Sequence, residues 1–229
     1  MNPMNLEELL EKLAFTHTPL KITPQKTALV LIDMQKLALG DYLVHNAVKI
    51  GIDEGEARAA VKDMDLRMGK AVDNASKILQ ACRQKKIRPF HVHIESYSDD
   101  AADTGRLHKE YGFLVPPGTK FSEFIEAVKP LPGEIVLPKT SSGAFTGTML
   151  TLLLHNLGLE EVIIVGFYTD QCITTAARDS ADLGFGTLVV EDAVMAETLE
   201  NHESAIKHIK NVYVRCCTTT ALLEKINNI

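Results

Sequence analysis

Three polar residues in this 229-residue chain stand where a parallel sheet holds its chemistry. Asp33 follows the apolar run TALVLI, Lys139 follows EIVLP, and Cys172 follows EVIIVGFYTDQ where a helix should begin. A carboxylate directly after a buried strand must be solvated or paired, because an isolated buried charge is disfavoured by several kcal/mol. The Lys139 ammonium would pair it. With Thr169 or Asp170 as cap, the Cys172 sulfur falls in a first helical turn, where free N–H groups and the helix dipole favour a thiolate. Asp33 would then take the thiol proton, Lys139 would stabilise the anion, and sulfur would attack an electrophilic carbon. The bland alternative stays open: each residue is simply the first polar position past a buried strand, and Cys172 is a small hydrophobe.

Other chemistry-bearing residues read less sharply. His91 and His93 alternate in PFHVHI and share one strand face, a pair able to hold a metal. They lie inside the strand, however, which favours packing. Glu95 comes just after them, and a carboxylate at a pocket rim would favour an amide N–H or a cation. Phe145 and Phe167 flank the three polar residues in sequence and would form an apolar pocket wall, with core packing as the equal alternative. Cys216 and Cys217 adjoin on the last strand and must face opposite sides, so they read as packing. Cys82, in a helical stretch, reads the same way.

Elements must position these residues. Strands are expected at Thr27 to Ile32, Pro89 to Ile94, Glu134 to Leu137, Glu161 to Gly166, Thr187 to Val190 and Val212 to Arg215, several of them apolar on consecutive positions. Leu150, Leu153, Leu154 and Leu157 recur at helical spacing, placing a helix from Thr146 to Leu157. Further helices are expected over 170–184, 64–85, 120–128, 201–209 and 219–226, with Leu6 to Phe15 on the outside or against a partner subunit. Lys36 to Gly55 and Ser96 to Gly118 read as irregular loops at the carboxyl ends of strands, where open α/β sheets place ligands. The fold class is therefore α/β: a three-layer Rossmann-like fold with a six-stranded, mainly parallel sheet flanked by helices. One domain spans 1–229, with 1–20 as an N-terminal, oligomer-contacting extension.

Composition narrows the partners. A net charge of −6 without Lys/Arg runs argues against nucleic acid. The longest apolar runs fall well short of the roughly 18 residues that cross a bilayer. The start MNPMNLEELLEKLAF lacks the basic, then apolar, pattern of a secretory signal, so a cytoplasmic location and four reduced cysteines are expected.

The strings LVLIDMQ, LPKTSSGAF and VGFYTDQCITTAARDSADLGFGTLVVEDAV, in that order, resemble the isochorismatase-like cysteine hydrolases, a superfamily that includes nicotinamidase and N-carbamoylsarcosine amidohydrolase. The resemblance covers roughly Thr27 to the C-terminus. It implies that Asp33, Lys139 and Cys172 are a catalytic triad, and that a small amide or carbamoyl compound is hydrolysed at its C–N bond through a thioester. It also implies a cis peptide between Phe167 and Tyr168, an oxyanion hole from the backbone N–H groups of Tyr168 and Cys172, and a homodimer or homotetramer. Substrate contacts are expected from Glu95, Phe145, Phe167 and Tyr168. Nicotinamidases of this family bind a metal through an Asp and two or more His after the first strand. Here only Asp41 and His45 occur there, so no metal and no cofactor are expected. Hydrolysis of a vinyl ether, as in isochorismatase itself, and a non-catalytic binding module of the same fold are the competing readings.

Overall fold

The run TALVLI forms a strand that is buried along its whole length, as a central strand covered on both faces should be. A computed structural model of the chain describes residues 4–13 and 19–229. Its elements run α1 (Leu6–Leu13), β1 (Thr27–Ile32), α2 (Gly40–Lys49), α3 (Glu54–Gln84), β2 (Arg88–Ile94), α4 (Arg106–Glu110) and β3 (Ile135–Lys139). They continue with α5 (Leu150–Asn156), β4 (Glu161–Phe167), α6 (Thr174–Asp182), β5 (Gly186–Met195), α7 (Leu199–Ile209), β6 (Arg215–Cys217) and α8 (Thr219–Asn227).

The six strands form one sheet in the order β3-β2-β1-β4-β5-β6, and every pairing is parallel. From β1 the chain steps outward through β2 to β3, then returns to place β4 on the other side of β1. The strand order therefore reverses between β1 and β4, and the crevice at their carboxyl ends is where such sheets bind ligands. Alternation along the strands sends side chains to two cores. Leu29, Leu31, Ile163 and Val165 meet α3 and α8 on one face, while Val30, Ile32, Ile164 and Val189 meet α5, α6 and α7 on the other. A third, small cluster of Leu37, Tyr42, Ile94 and Val115, with Phe113 and Phe121 against it, lies beyond the carboxyl ends of β1 and β2.

Gly166 fixes the register at the switch point. Its φ is +124°, and a Cβ there would overlap the backbone carbonyl oxygen of Ile32, so only glycine lets β4 approach β1 this closely.

Several elements depart from expectation. Lys36 to Gly55 is mostly helical: a 3-10 turn at Lys36–Ala38, then α2, then the start of α3, whose Asp53 side chain caps it by accepting from the Glu56 N–H. Lys120 to Val128 is not a helix beyond a 3-10 turn at Glu126–Val128. Its carbonyls are taken by the segment after β1: Phe121 O accepts from Leu37 N and Gln35 Nε2, and Glu123 O from Lys36 N. The last strand begins at Arg215, because Tyr213 N and Val214 N still donate to Ile209 O in the turn after α7. In that strand Cys216 packs on one core and Cys217 on the other, and Cys82 is buried in α3. The α5 helix starts only at Leu150, where the Thr148 hydroxyl accepts from the Leu150 N–H. Of the expected N-terminal helix, Ala14 and Phe15 lie outside the described residues.

Candidate active site

Asp33, Lys139 and Cys172 come from three different strand ends and meet at the switch point. Asp33 is the first residue after β1. It takes a left-handed backbone (φ 54°), held by donation of its N–H to Val92 O (2.8 Å) and by acceptance at its carbonyl from Gln35 N (2.8 Å). Aspartate tolerates this conformation better than a β-branched residue would. Lys139 ends β3 and is fully buried. Its Nζ lies 3.0 Å from Asp33 Oδ2, donates to Ser141 O at 3.0 Å, and donates to Cys172 Sγ at 3.4 Å. Burial alone would lower the lysine pKa, but the charges of Asp33 and the Cys172 sulfur outweigh it and hold Lys139 above its ordinary value. Both Asp33 carboxylate oxygens are buried, and among the described residues neither receives a directional hydrogen bond beyond that ion pair. Lone pairs thus remain to accept a proton.

The turn carrying Cys172 differs from a capped helix start. Thr169–Ile173 is one π-helical turn, with Ile173 N donating to Tyr168 O at 3.2 Å, and α6 follows from Thr174. No side chain caps it; the Asp170 carboxylate instead accepts from Asn201 Nδ2. The Phe167–Tyr168 peptide just before it is cis. The electrostatics at the sulfur run against the expected helix-terminus effect. Burial pushes the Cys172 thiol up to about 12 and the Asp33 charge pushes the same way, while Lys139 opposes both. Asp33 and the Lys139 ammonium both lie beside the sulfur.

Cys172 and Asp33 are in the lining of a narrow cleft. Leu37, Ala38, Tyr42 and Leu43, from the segment after β1, form one wall. Ile94 and Phe113 add to it, and Phe167, Tyr168 and Gln171 form the side nearest the sulfur. The Tyr168 hydroxyl donates to Ala38 O at 2.7 Å and ties the two sides together. Gln35 braces the floor from behind: its amide donates to Ile94 O and Phe121 O and accepts from Ile94 N, at 2.6 to 3.0 Å. Glu197, just past β5, completes the lining.

Of the expected substrate contacts, Phe167 and Tyr168 are in the wall. Glu95 and Phe145 are not among the lining residues. Glu95 lies 3.9 Å from His93 Nε2, and Phe145 is buried against Phe185 in the core under α5 and α6. Gln35, Tyr42, Phe113 and Glu197 were not singled out from sequence. Glu197 carried a usable signal, since it too follows the carboxyl end of a strand.

His91 and His93 both pack on the Phe124 ring. His91 Nε2 meets Glu134 Oε2 at 3.0 Å, His93 packs on Phe124 with ring centres 4.7 Å apart, and His45 packs on Phe121. Asp41 pairs with Arg58. Among the described residues no three His, Cys, Asp or Glu side chains converge as a metal requires. None of the described helices is long and apolar enough to cross a membrane.

Comparison with known proteins places the chain in a family. Residues 27–221 match the model of the isochorismatase domain. Maleamate amidohydrolase of Pseudomonas putida is 29% identical over 161 residues, covering 69% of this chain and 76% of that protein. Ureidoacrylate amidohydrolase of Agrobacterium fabrum is 26% identical over 191 residues, covering 76% and 78%. The solved structure of a cysteine hydrolase from Pseudomonas syringae pv. phaseolicola superposes with a TM-score of 0.74 at 21% identity, over 90% of this chain and 95% of that one. With the domain match running from β1 into α8, this chain belongs to the isochorismatase family of hydrolases.

Proposed function

We propose that the protein is a cysteine-dependent amidohydrolase that cleaves the C–N bond of a small amide or carbamoyl compound, with Asp33, Lys139 and Cys172 as its catalytic residues. The observation that carries this reading is Lys139 Nζ lying 3.0 Å from Asp33 and 3.4 Å from the Cys172 sulfur at the base of a cleft. Two relatives named as amidohydrolases support the reaction class.

As sulfur attacks the carbonyl carbon, the thiol proton passes to Asp33, and the carbonyl electrons move onto oxygen. The backbone N–H groups of Tyr168 and Cys172 hold that oxyanion, a kind of contact whose loss typically costs on the order of 100-fold in rate. Collapse of the adduct breaks the C–N bond, and the departing nitrogen takes the proton back from Asp33, leaving a thioester on Cys172. Water then gives a proton to Asp33 and attacks the thioester carbon. Sulfur leaves, stabilised by Lys139, and regains the proton from Asp33. Because the resting sulfur is a thiol, proton transfer to Asp33 accompanies attack, and Lys139 lowers the cost of each anionic stage. Phe167 and Tyr168 form the wall against which the acyl group lies.

The test is ammonia or amine release from a panel of small amides and ureides by wild type and Cys172→Ala. Turnover by wild type and its loss in the variant are expected. Full turnover by Cys172→Ala would overturn the covalent mechanism, and binding without turnover by wild type would favour a non-catalytic module.

A further inference from the structure

The cleft beside Cys172 carries charge of one sign. Two carboxylates, Asp33 and Glu197, are in its lining, and no Lys or Arg among the described residues is. Asp33 is matched by the Lys139 ammonium beneath it. Glu197 is not matched in this way. Its backbone carbonyl accepts from Arg67 at 2.6 Å, but that guanidinium also serves Ala196 O and the Asp63 carboxylate, and among the described residues the Glu197 carboxylate has neither an ion pair nor a hydrogen bond.

Nearby charges deepen the effect. Burial and the neighbouring Asp170 both raise the Glu197 pKa. The Tyr168 phenol, in the wall of the same cleft, is raised by burial and then by Glu197, Asp170, Asp65 and Asp33, four carboxylates acting in one direction. The lining also includes the apolar side chains of Leu37, Leu43, Ile94 and Phe113. A ligand entering this cleft thus meets both hydrocarbon and an uncompensated, half-buried carboxylate. Such a group attracts a cation or an N–H donor and repels a second carboxylate, and the low dielectric of the cleft strengthens both effects.

We propose that Glu197 sets specificity in this cleft, selecting small amides whose remaining polar group is an ammonium or an N–H donor and turning away amides that bear a carboxylate. The assignment rests on the amidohydrolase reading for the class of compound, and its test is a binding measurement that needs no turnover.

Three amides of similar length serve as probes: 4-aminobutyramide, butyramide and succinamate, which end in an ammonium, a methyl group and a carboxylate. Their affinities for the Cys172→Ala protein are measured by calorimetry at pH 7. The expected preference for 4-aminobutyramide over succinamate is on the order of 100-fold, from gaining one charged contact and avoiding one repulsion. Adding Glu197→Gln should cut that ratio roughly tenfold or more, and Glu197→Lys should invert it. A general structural role for Glu197 would weaken all three probes together and leave the ratio unmoved. The proposal is overturned if succinamate binds as well as 4-aminobutyramide, if the ratio survives both substitutions, or if none of the probes binds. Ammonia release from the same compounds by wild type is a separate readout. Selectivity in binding with no hydrolysis would sink the amidohydrolase reading and leave the Glu197 assignment standing.

Discussion

Substituting Lys139 by Met would keep a stem of similar length and delete the charge. Lys139 is fully buried, and its Nζ contacts Asp33 at 3.0 Å, Ser141 O at 3.0 Å and Cys172 Sγ at 3.4 Å. The variant would leave the Asp33 carboxylate, 4% exposed, in the interior without its cation. Removing one partner of a buried ion pair costs roughly 3–5 kcal/mol, much of it the penalty of the orphaned charge. In a chain of this size each kcal/mol moves Tm by roughly 2–4 °C, so a fall of roughly 6–20 °C is expected. The double variant Asp33→Asn/Lys139→Met removes the orphan as well, and should therefore be less destabilised than the sum of the two single variants by roughly 1–3 kcal/mol. Urea unfolding of the wild type, both single variants and the double variant at pH 7 reads this directly. The sign with pH also follows: the folded-state pKa of Lys139 lies above its ordinary value, so its contribution is fully present below about pH 10.5 and is lost only as pH climbs through the raised value. A Lys139→Met protein within about 1 kcal/mol of wild type, or losses that simply add, would refute the reasoning.

Three further outcomes are expected. Because burial raises the Cys172 thiol to about 12, its alkylation by iodoacetamide should keep accelerating with pH up to about 10, and a plateau with a midpoint near 7 would mean a resting thiolate instead. Gly166→Ala should cost roughly 3 kcal/mol or more in urea unfolding, since φ +124° is hostile to alanine and the added carbon meets the Ile32 backbone; a loss below about 1 kcal/mol would show that β1 and β4 part easily there. Burial holds His91, His93 and His108 below their ordinary pKa, so the unfolded chain takes up protons first, and stability present above about pH 6.5 is lost as pH falls. Each histidine contributes a slope of up to about 1.4 kcal/mol per pH unit. His108→Asn should make the decline between pH 6.5 and 5 shallower, and an unchanged slope would count against it.

Much of the fold was legible where one physical signal dominated. A strand buried on both faces has little choice but to be apolar throughout, and TALVLI marks β1 to the residue. The same logic located β2, β4 and β5, and the rule that open sheets act at their carboxyl ends brought Asp33, Lys139 and Cys172 together. Where long-range contacts decide, local reading failed. The segment read as an irregular loop contains Gly40, whose N–H bonds Asp65 Oδ1; a Cβ there would come within 2.5 Å of that oxygen, so the glycine lets α2 lie close to α3. Phe121, Phe124, Ile125 and Val128 have helical spacing, but their backbone pairs with the segment after β1, including a bridge from Phe124 to Gln35. The cleft wall was hidden for the same reason. Tyr42 and Phe113 lie far apart in sequence, and their rings meet 5.8 Å apart only because both segments pack over the end of the sheet. The upward push on the thiol was hidden too, since a helix terminus is local whereas burial is a property of the whole fold.

The most direct measurement is the intact mass of wild-type protein quenched during turnover of a small amide, followed by peptide mapping. The account predicts a mass increase equal to the acyl group, located on the peptide containing Cys172 and absent from Cys172→Ala. Steady amide turnover with no adduct on that peptide, or with the adduct on another residue, would contradict it.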